Sequence, residues 1–416
     1  MTGMGLFLGA GASFESGMPL VWDLSAEIRA WLTPDKLRKL NQGWRAQGSG
    51  NPDEVIDALV ASLLDGSMHY ENILGNLEVQ FNRPSTARTG HLRQAYHGLY
   101  SWLVELVYHL LWFRHVQNES FIAQSLRYLE GIAGLAGQNA PLWIFSLNHD
   151  SIIECLAAHY GVRLDCGFSG TGRLPLRDAA GIKVAELPVN TLAVDRLEKS
   201  GFDFRNLNEL GINLIKIHGA LDVFTANDSR DLIKLAPVGD GVGGVLESLR
   251  AANEKLVYVV PGYPGGKVKA LNEITYADET GEMQFLRKTI LSGAYKFDRR
   301  STQVLPPSIL NQFRTCLNRV SHLVCIGYGC GDTHINQILR EWLEFSGDRR
   351  VELVGPGTKT CPPFAGHVAG QVILKDEFAT DYLERYALTP LSIKERLFKA
   401  GLRRARIRRR KTMGFA

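Results

Sequence analysis

The spacing of apolar positions changes once along the chain, near residue 140. From Asp53 to Leu135 they recur at helical intervals, through DEVIDALVASLL, YENILGNLEVQF, HLRQAYHGLYSWLVELVYHLLWF and FIAQSLRYLEGIAGL, with few β-branched runs. That spacing predicts a block of amphipathic helices. After Pro141 the pattern turns into short continuous apolar runs, LWIFSLNHD, INLIKIHGA, KLVYVVPG, HLVCIGYGCGD and VELVGPG, each ending in Gly, Asn, His or Pro. Runs of this kind are buried on both faces. They alternate with helical stretches such as Ile152 to His159 and Ile335 to Phe345, which predicts an α/β fold with a mostly parallel, Rossmann-like sheet. One more short run, Met4 to Leu8, leads into a glycine turn and an amphipathic stretch from Pro19 to Leu32, so the chain opens as strand, turn and helix. Phe168 to Arg205 and Val223 to Gly244 are rich in Gly, Asp and Asn with weak periodicity, and read as loops or a small cap.

These patterns divide the 416 residues into three parts. Residues 1–35 and 140–390 form a Rossmann-like domain, 36–139 a large helical insertion or subdomain, and 391–416 a basic C-terminal tail. Apolar residues make up 45% of the chain, as in soluble globular proteins. The N-terminus has no basic lead of a signal peptide. The most apolar helical stretch, Leu99 to Phe113, is interrupted by Glu105 and His109 and is too short to span a bilayer. A cytoplasmic protein without membrane contact is expected. The net charge of +4 hides an asymmetry: Lys394 to Lys411 holds ten Lys and Arg against one Glu, so the remainder of the chain carries −5. The tail is read as an arm for protein contact or weak nonspecific nucleic-acid binding, because no second basic motif or aromatic platform accompanies it.

Six cysteines, at 155, 166, 316, 325, 330 and 361, contain no C-x-x-C pair, which supports neither a zinc ribbon nor a redox dithiol. Asp332-x-His334 offers two metal ligands without a partner cluster, so no metal is expected. PGYPGGKV, Pro261 to Val268, lacks the glycine spacing of a phosphate loop and the Ser/Thr after Lys267, and reads as a loop.

Candidate chemistry lies where the strands end. In doubly wound sheets ligands bind outside the carboxyl ends of the strands, where helix N-termini point free N–H groups into a crevice. Four runs end distinctively: Gly9-Ala10-Gly11-Ala12-Ser13, Asn148-His149-Asp150, His218-Gly219 and Gly327-Tyr328-Gly329-Cys330-Gly331-Asp332. Each alone has a plain structural reading as a tight turn, a helix cap or a hydrogen-bonded histidine. Their joint occurrence, facing one cleft, points to a ligand. A dehydrogenase fits poorly: Phe14 stands where the third glycine of G-x-G-x-x-G would pack helix on strand, and no acidic strand end follows about 20 residues on.

In this order the motifs resemble the sirtuin family. GAGAS followed by SGMP is similar to its glycine turn, serine and S-G-I-P; SLNHD, KIHGA and CIGYGCGD are similar to its later strand ends. The helical block, YENIL and GYGCGDTHIN resemble the bacterial sirtuin-like proteins of antiviral defence that consume NAD. The resemblance covers about residues 4 to 345. It implies NAD as substrate, with its pyrophosphate over Gly9, Ala10, Gly11, Ala12 and Ser13 and its adenosine half along Gly327, Gly329 and Asp332. It implies that Asn148 holds water and ribose and that His218 is the general base, while Asp150 either contacts the nicotinamide amide or caps its helix.

Three departures matter. The two C-x-x-C pairs of the deacylases are missing, no P-D-F-R follows the first Ser-Gly, and Ser146 and Leu147 replace the usual Thr and Gln. NAD hydrolysis, to ADP-ribose or a cyclic form, is therefore favoured over protein deacylation, and the presence of both Asn148 and His218 favours it over a non-catalytic NAD-sensing scaffold. The resemblance further implies gating, through self-association into a homo-oligomer or a separately encoded HerA-type ATPase. Absence of a P-loop here fits that arrangement.

Overall fold

The computed structural model describes residues 3–84, 90–263, 266–298 and 304–412. Pro264 and Gly265 of the PGYPGGKV loop lie outside them. In chain order the strands are β1 (Met4–Leu8), β2 (Leu142–Ser146), β3 (Leu164–Asp165), β4 (Gly170–Arg177), β5 (Lys183–Ala193), β6 (Ile212–Lys216) and β7 (Val223–Ala226). After them come β8 (Asp231–Leu235), β9 (Glu273–Ala277), β10 (Met283–Lys288), β11 (His322–Ile326), β12 (Arg350–Val354) and β13 (Val372–Lys375).

The chain divides into two compact units. The first comprises Met1–Met18, Leu111–Ile290 and Val304–Arg403 and contains every one of these strands. Seven form a parallel sheet in the order β13-β12-β11-β1-β2-β6-β3. The fold is α/β and Rossmann-like. β1, β2, β6, β11 and β12 are buried almost throughout, as continuous apolar runs covered on both faces must be. Phe7 and Phe145 both pack on Phe313, with ring centroids 5.8 and 5.1 Å apart.

Two expectations are corrected here. The weakly periodic regions are ordered strands: β4, β5, β7 and β8 join β9 and β10 in a six-stranded antiparallel sheet, β4-β5-β8-β7-β10-β9. Part of β4 alternates between half-buried and exposed, which is why its pattern lacked a clear apolar run. KLVYVVPG, by contrast, is no strand of the parallel sheet. Val259 makes only an isolated antiparallel bridge to Lys267, and Val260 and Tyr258 bond Gly266 and Val268. This run satisfies its backbone locally and buries only Leu256 and Val257.

The second unit comprises Pro19–Leu110, Leu291–Gln303 and Arg404–Ala416. Helices Val21–Trp31, Pro34–Ala46, Asp53–Leu64 and Tyr70–Asn82 lie within it, with Ile28, Leu37, Leu59 and Leu74 in its core. Glu78, buried on Tyr70–Asn82, accepts the Ala294 and Tyr295 N–H groups at 2.7 and 3.1 Å. No helix among the described residues is long and apolar enough to cross a membrane.

The basic tail is the helix Ile393–Thr412. Within the first unit Lys399 pairs with Asp381 and Glu384 at 2.9 and 2.7 Å, and Arg403 pairs with Glu15 and Asp381 at 2.8 and 2.7 Å. Part of its charge thus neutralises acidic groups of its own chain.

Candidate functional site

The parallel register sets the four distinctive strand ends level with one another. Leu8 pairs with Ser146 on one side and Ile326 on the other, and Ser146 pairs with Lys216. Asn148 and His218 therefore each stand two residues beyond a paired position on neighbouring strands, which run about 4.8 Å apart. β1 connects outward in both directions, through β2 and β6 and through β11 and β12, so the motifs meet at a topological switch point.

The glycines of the first turn make room for each other. A Cβ on Gly9 would lie 2.5 Å from the Gly327 carbonyl oxygen, and one on Gly11 would lie 2.6 Å from the Gly327 Cα. Gly327 itself has φ +65°, and its Cβ would reach 2.4 Å from Ala12 N and Gly11 C. Gly9 N–H donates to Ile326 O at 3.0 Å, Gly11 N–H to Gly327 O at 3.1 Å and Ala12 N–H to Gly9 O at 2.9 Å. Backbone packing between two strand ends thus accounts for the spacing before any ligand is invoked. Gly327→Ala combines left-handed strain of about 1–2 kcal/mol with a backbone collision, and should lower the thermal midpoint by several degrees in a melting experiment.

The second strand end is tied to the first. Asn148 Nδ2 donates to Gly9 O at 3.0 Å and Ser13 Oγ at 3.1 Å. A carbonyl can only accept, so these bonds fix the amide's orientation and turn Oδ1 the other way. Asp150 Oδ1 accepts the Ile152 N–H at 3.2 Å, an Asx turn that leads into helix Ile152–Tyr160, whose N-cap is Ser151.

Two residues that sequence reasoning missed support this loop. Lys216, at the end of β6, donates to Asn148 O at 3.3 Å and also to Asp150 O. His115 is completely buried; its Nδ1 lies 2.8 Å from Leu111 O, and its Nε2 accepts the Ser151 N–H at 3.1 Å. Those partners require the neutral Nδ1–H tautomer, and burial lowers its pKa in the same direction.

His218 is 3% exposed, and its loop is joined to the Asn148 loop. Ile217 N–H bonds Ser146 O at 2.9 Å, Leu221 N–H bonds His149 O at 3.0 Å, and His149 Nδ1 lies 3.2 Å from Gly219 O. The further partner of His218 was not foreseen: its Nε2 lies 3.0 Å from His334 Nε2. Asp332 precedes helix Thr333–Phe345 without a side-chain capping bond, and its carboxylate gathers with both imidazoles. Of the glycine-rich loop, Gly329 borders open space. Tyr328 OH donates to Asn336 Oδ1 at 2.8 Å, and Asn336 Nδ2 to Cys330 O at 2.8 Å.

The structure thus joins Gly9, Ser13 and Asn148 in one hydrogen-bonded cluster and gathers His218, Asp332 and His334 in a second group. Glu15, buried just beyond Ser13, is held by Arg403 and by the Thr380 N–H at 3.2 Å. All six cysteines are free thiols.

No family model and no curated protein matches the chain. Among solved structures it is similar to a Sir2 homolog in complex with NAD, at 11% identity over 97% of this chain and 90% of that one, with a TM-score of 0.38. It is also similar to a mutant Sir2 homologue in complex with ADP ribose, at 10% identity over 92% of this chain and 90% of that one, with a TM-score of 0.39.

Proposed function

We propose that this protein is an NAD glycohydrolase, cleaving the bond between nicotinamide and ribose. One observation carries the reading: an amide and an imidazole, Asn148 and His218, each lie two residues past paired ends of adjacent parallel strands, beside a glycine loop at the switch point. A dinucleotide laid across that crevice would place its pyrophosphate near Gly9 to Ser13 and its adenosine half along the loop from Gly327 to Asp332. Departure of nicotinamide leaves an oxocarbenium-like centre at ribose C1′. The protein's task is then to hold the dinucleotide, orient a water and take up its proton.

Asn148 Oδ1 is suited to accept from the water or a ribose hydroxyl, since its NH2 is occupied by Gly9 and Ser13. His218 receives the proton as water adds to C1′, directly or through a ribose hydroxyl. His334 is a positioning residue that fixes the His218 ring. Asp150 supports the site through the turn it holds before helix Ile152–Tyr160.

Similarity of the motifs to the defence-associated sirtuin-like proteins supports a role as the NAD-depleting effector of an anti-phage system. On the same ground the proposed partners are a second copy of the chain and a HerA-type ATPase, with copurification as the test. Incubating full-length protein with NAD and separating the products should give nicotinamide together with ADP-ribose or its cyclic form. Consumption of NAD only when an acylated peptide is added would assign the protein as a deacylase instead.

A further inference from the structure

Strands β1 and β2 lie between β6 and β11 in the sheet, yet the loops leaving β6 and β11 meet. The connection from Gly327 to His334 arches over the ends of two strands and sets His334 against His218. Their Nε2 atoms are 3.0 Å apart, with ring centroids 5.2 Å apart. Each of His218, Asp332 and His334 offers one ligand atom, and the three atoms lie within 4.8 Å of one another. His218 is buried, while Asp332 and His334 are half-buried and reachable from solvent.

We propose that His218, His334 and Asp332 form a three-ligand site for a divalent transition-metal ion, bound through both Nε2 atoms and one carboxylate oxygen. Two metal–nitrogen bonds of about 2.1 Å meeting at a right angle set the nitrogens about 3.0 Å apart, whereas a tetrahedral angle sets them about 3.4 Å apart. The observed separation matches neighbouring positions of an octahedral ion. Two imidazoles and one carboxylate fill three positions and leave the remaining ones to water or a ligand. Imidazole donors favour the later first-row ions over magnesium and calcium, which prefer oxygen. Without metal the same distance serves an N–H···N hydrogen bond, so the ion takes the place of the proton between the rings. That proton leaves to solvent or moves to its own ring's Nδ1. Bound metal pins the arching loop to β6.

A consequence follows for the reaction, and it rests on the NAD hydrolase reading. An ion on Nε2 leaves the neutral His218 ring with its one proton on Nδ1 and no lone pair to accept another, so metal occupancy and turnover exclude each other.

The test uses full-length protein stripped with chelator and titrated with Co²⁺, without NAD. One Co²⁺ per chain is expected, with visible d–d absorption that Zn²⁺ displaces. Affinity should fall at least about tenfold in Asp332→Asn and in His334→Ala. Absence of Co²⁺ uptake by the parent chain, or uptake unchanged in Asp332→Asn, overturns the site; that variant touches only a half-buried helix-start residue, so folding does not obscure the result. NAD cleavage is then followed with and without one equivalent of Zn²⁺. Inhibition reversed by chelator is expected. Zinc bound with cleavage intact overturns the exclusion while leaving the site standing, whereas Co²⁺ binding in a protein that never cleaves NAD counts against the hydrolase reading alone.

Discussion

Replacing His218 by alanine is expected to lower nicotinamide release from NAD by about 10²- to 10⁴-fold, the usual contribution of a positioned acid or base. The imidazole lies two residues beyond Lys216, whose register partner Ser146 precedes Asn148 by the same two residues. A base that acts only as the bond to water forms lowers kcat and leaves KM nearly unchanged. Asn148→Ala should behave differently. Its amide ties Gly9 to Ser13, so losing it loosens the loop and raises KM as well. Steady-state kinetics of the two variants, with melting curves to verify folding, separates the roles. Turnover by His218→Ala at the parental rate would remove His218 from the mechanism.

The second large effect concerns stability. Lys234 → Met should destabilise the first unit by about 3–5 kcal/mol, because it breaks a buried ionic network and strands the carboxylates. Lys234 Nζ contacts Asp222 and lies 3.2 Å from Glu154 Oε1, while Lys216 Nζ lies 3.5 Å from Glu154 Oε2. All four side chains are 6–8% exposed. Burial alone would raise the Glu154 pKa, yet Lys216 and Lys234 outweigh it and hold the carboxyl below the usual glutamate range. A carboxylate whose folded pKa is depressed contributes stability that is present above its unfolded pKa and is lost as pH falls through the folded value. Denaturant unfolding should therefore show the parent chain losing stability below about pH 4.5. Lys234→Met, with much of this attraction removed, should lose less over the same range. Adding Asp222→Asn to Lys234→Met should recover part of the loss, since a neutral amide tolerates burial better than an unpaired charge.

Local patterns carried the architecture far. β1, β2, β6, β11 and β12 are short apolar runs because both faces are covered, and that cause acts within five residues. Polar residues directly after them were legible because the crevice lies at the strand ends. The antiparallel sheet was not, since β4, β5 and β10 break their apolar pattern with exposed positions and β7 and β8 are only four and five residues long. KLVYVVPG was misread for the opposite reason: its side chains are apolar, but no neighbouring strand takes up its backbone. Contacts made at long range left no local trace. His334 meets His218 across 116 residues, and Arg403 meets Glu15 across 388. Asp332-x-His334 showed two ligands and no third, because the third is supplied by the fold. The role of Gly11 was legible as a need for close approach, but what approaches it in the structure is Gly327.

The most direct test is a crystal structure of the His218→Ala protein grown with NAD, in which the dinucleotide stays intact. Density is expected to run from the loop at Gly9 to Ser13 across the strand ends, with ribose C1′ facing Asn148 and the position vacated by the imidazole. NAD bound elsewhere on the protein, or no NAD over the strand ends at saturating concentration, would contradict that placement.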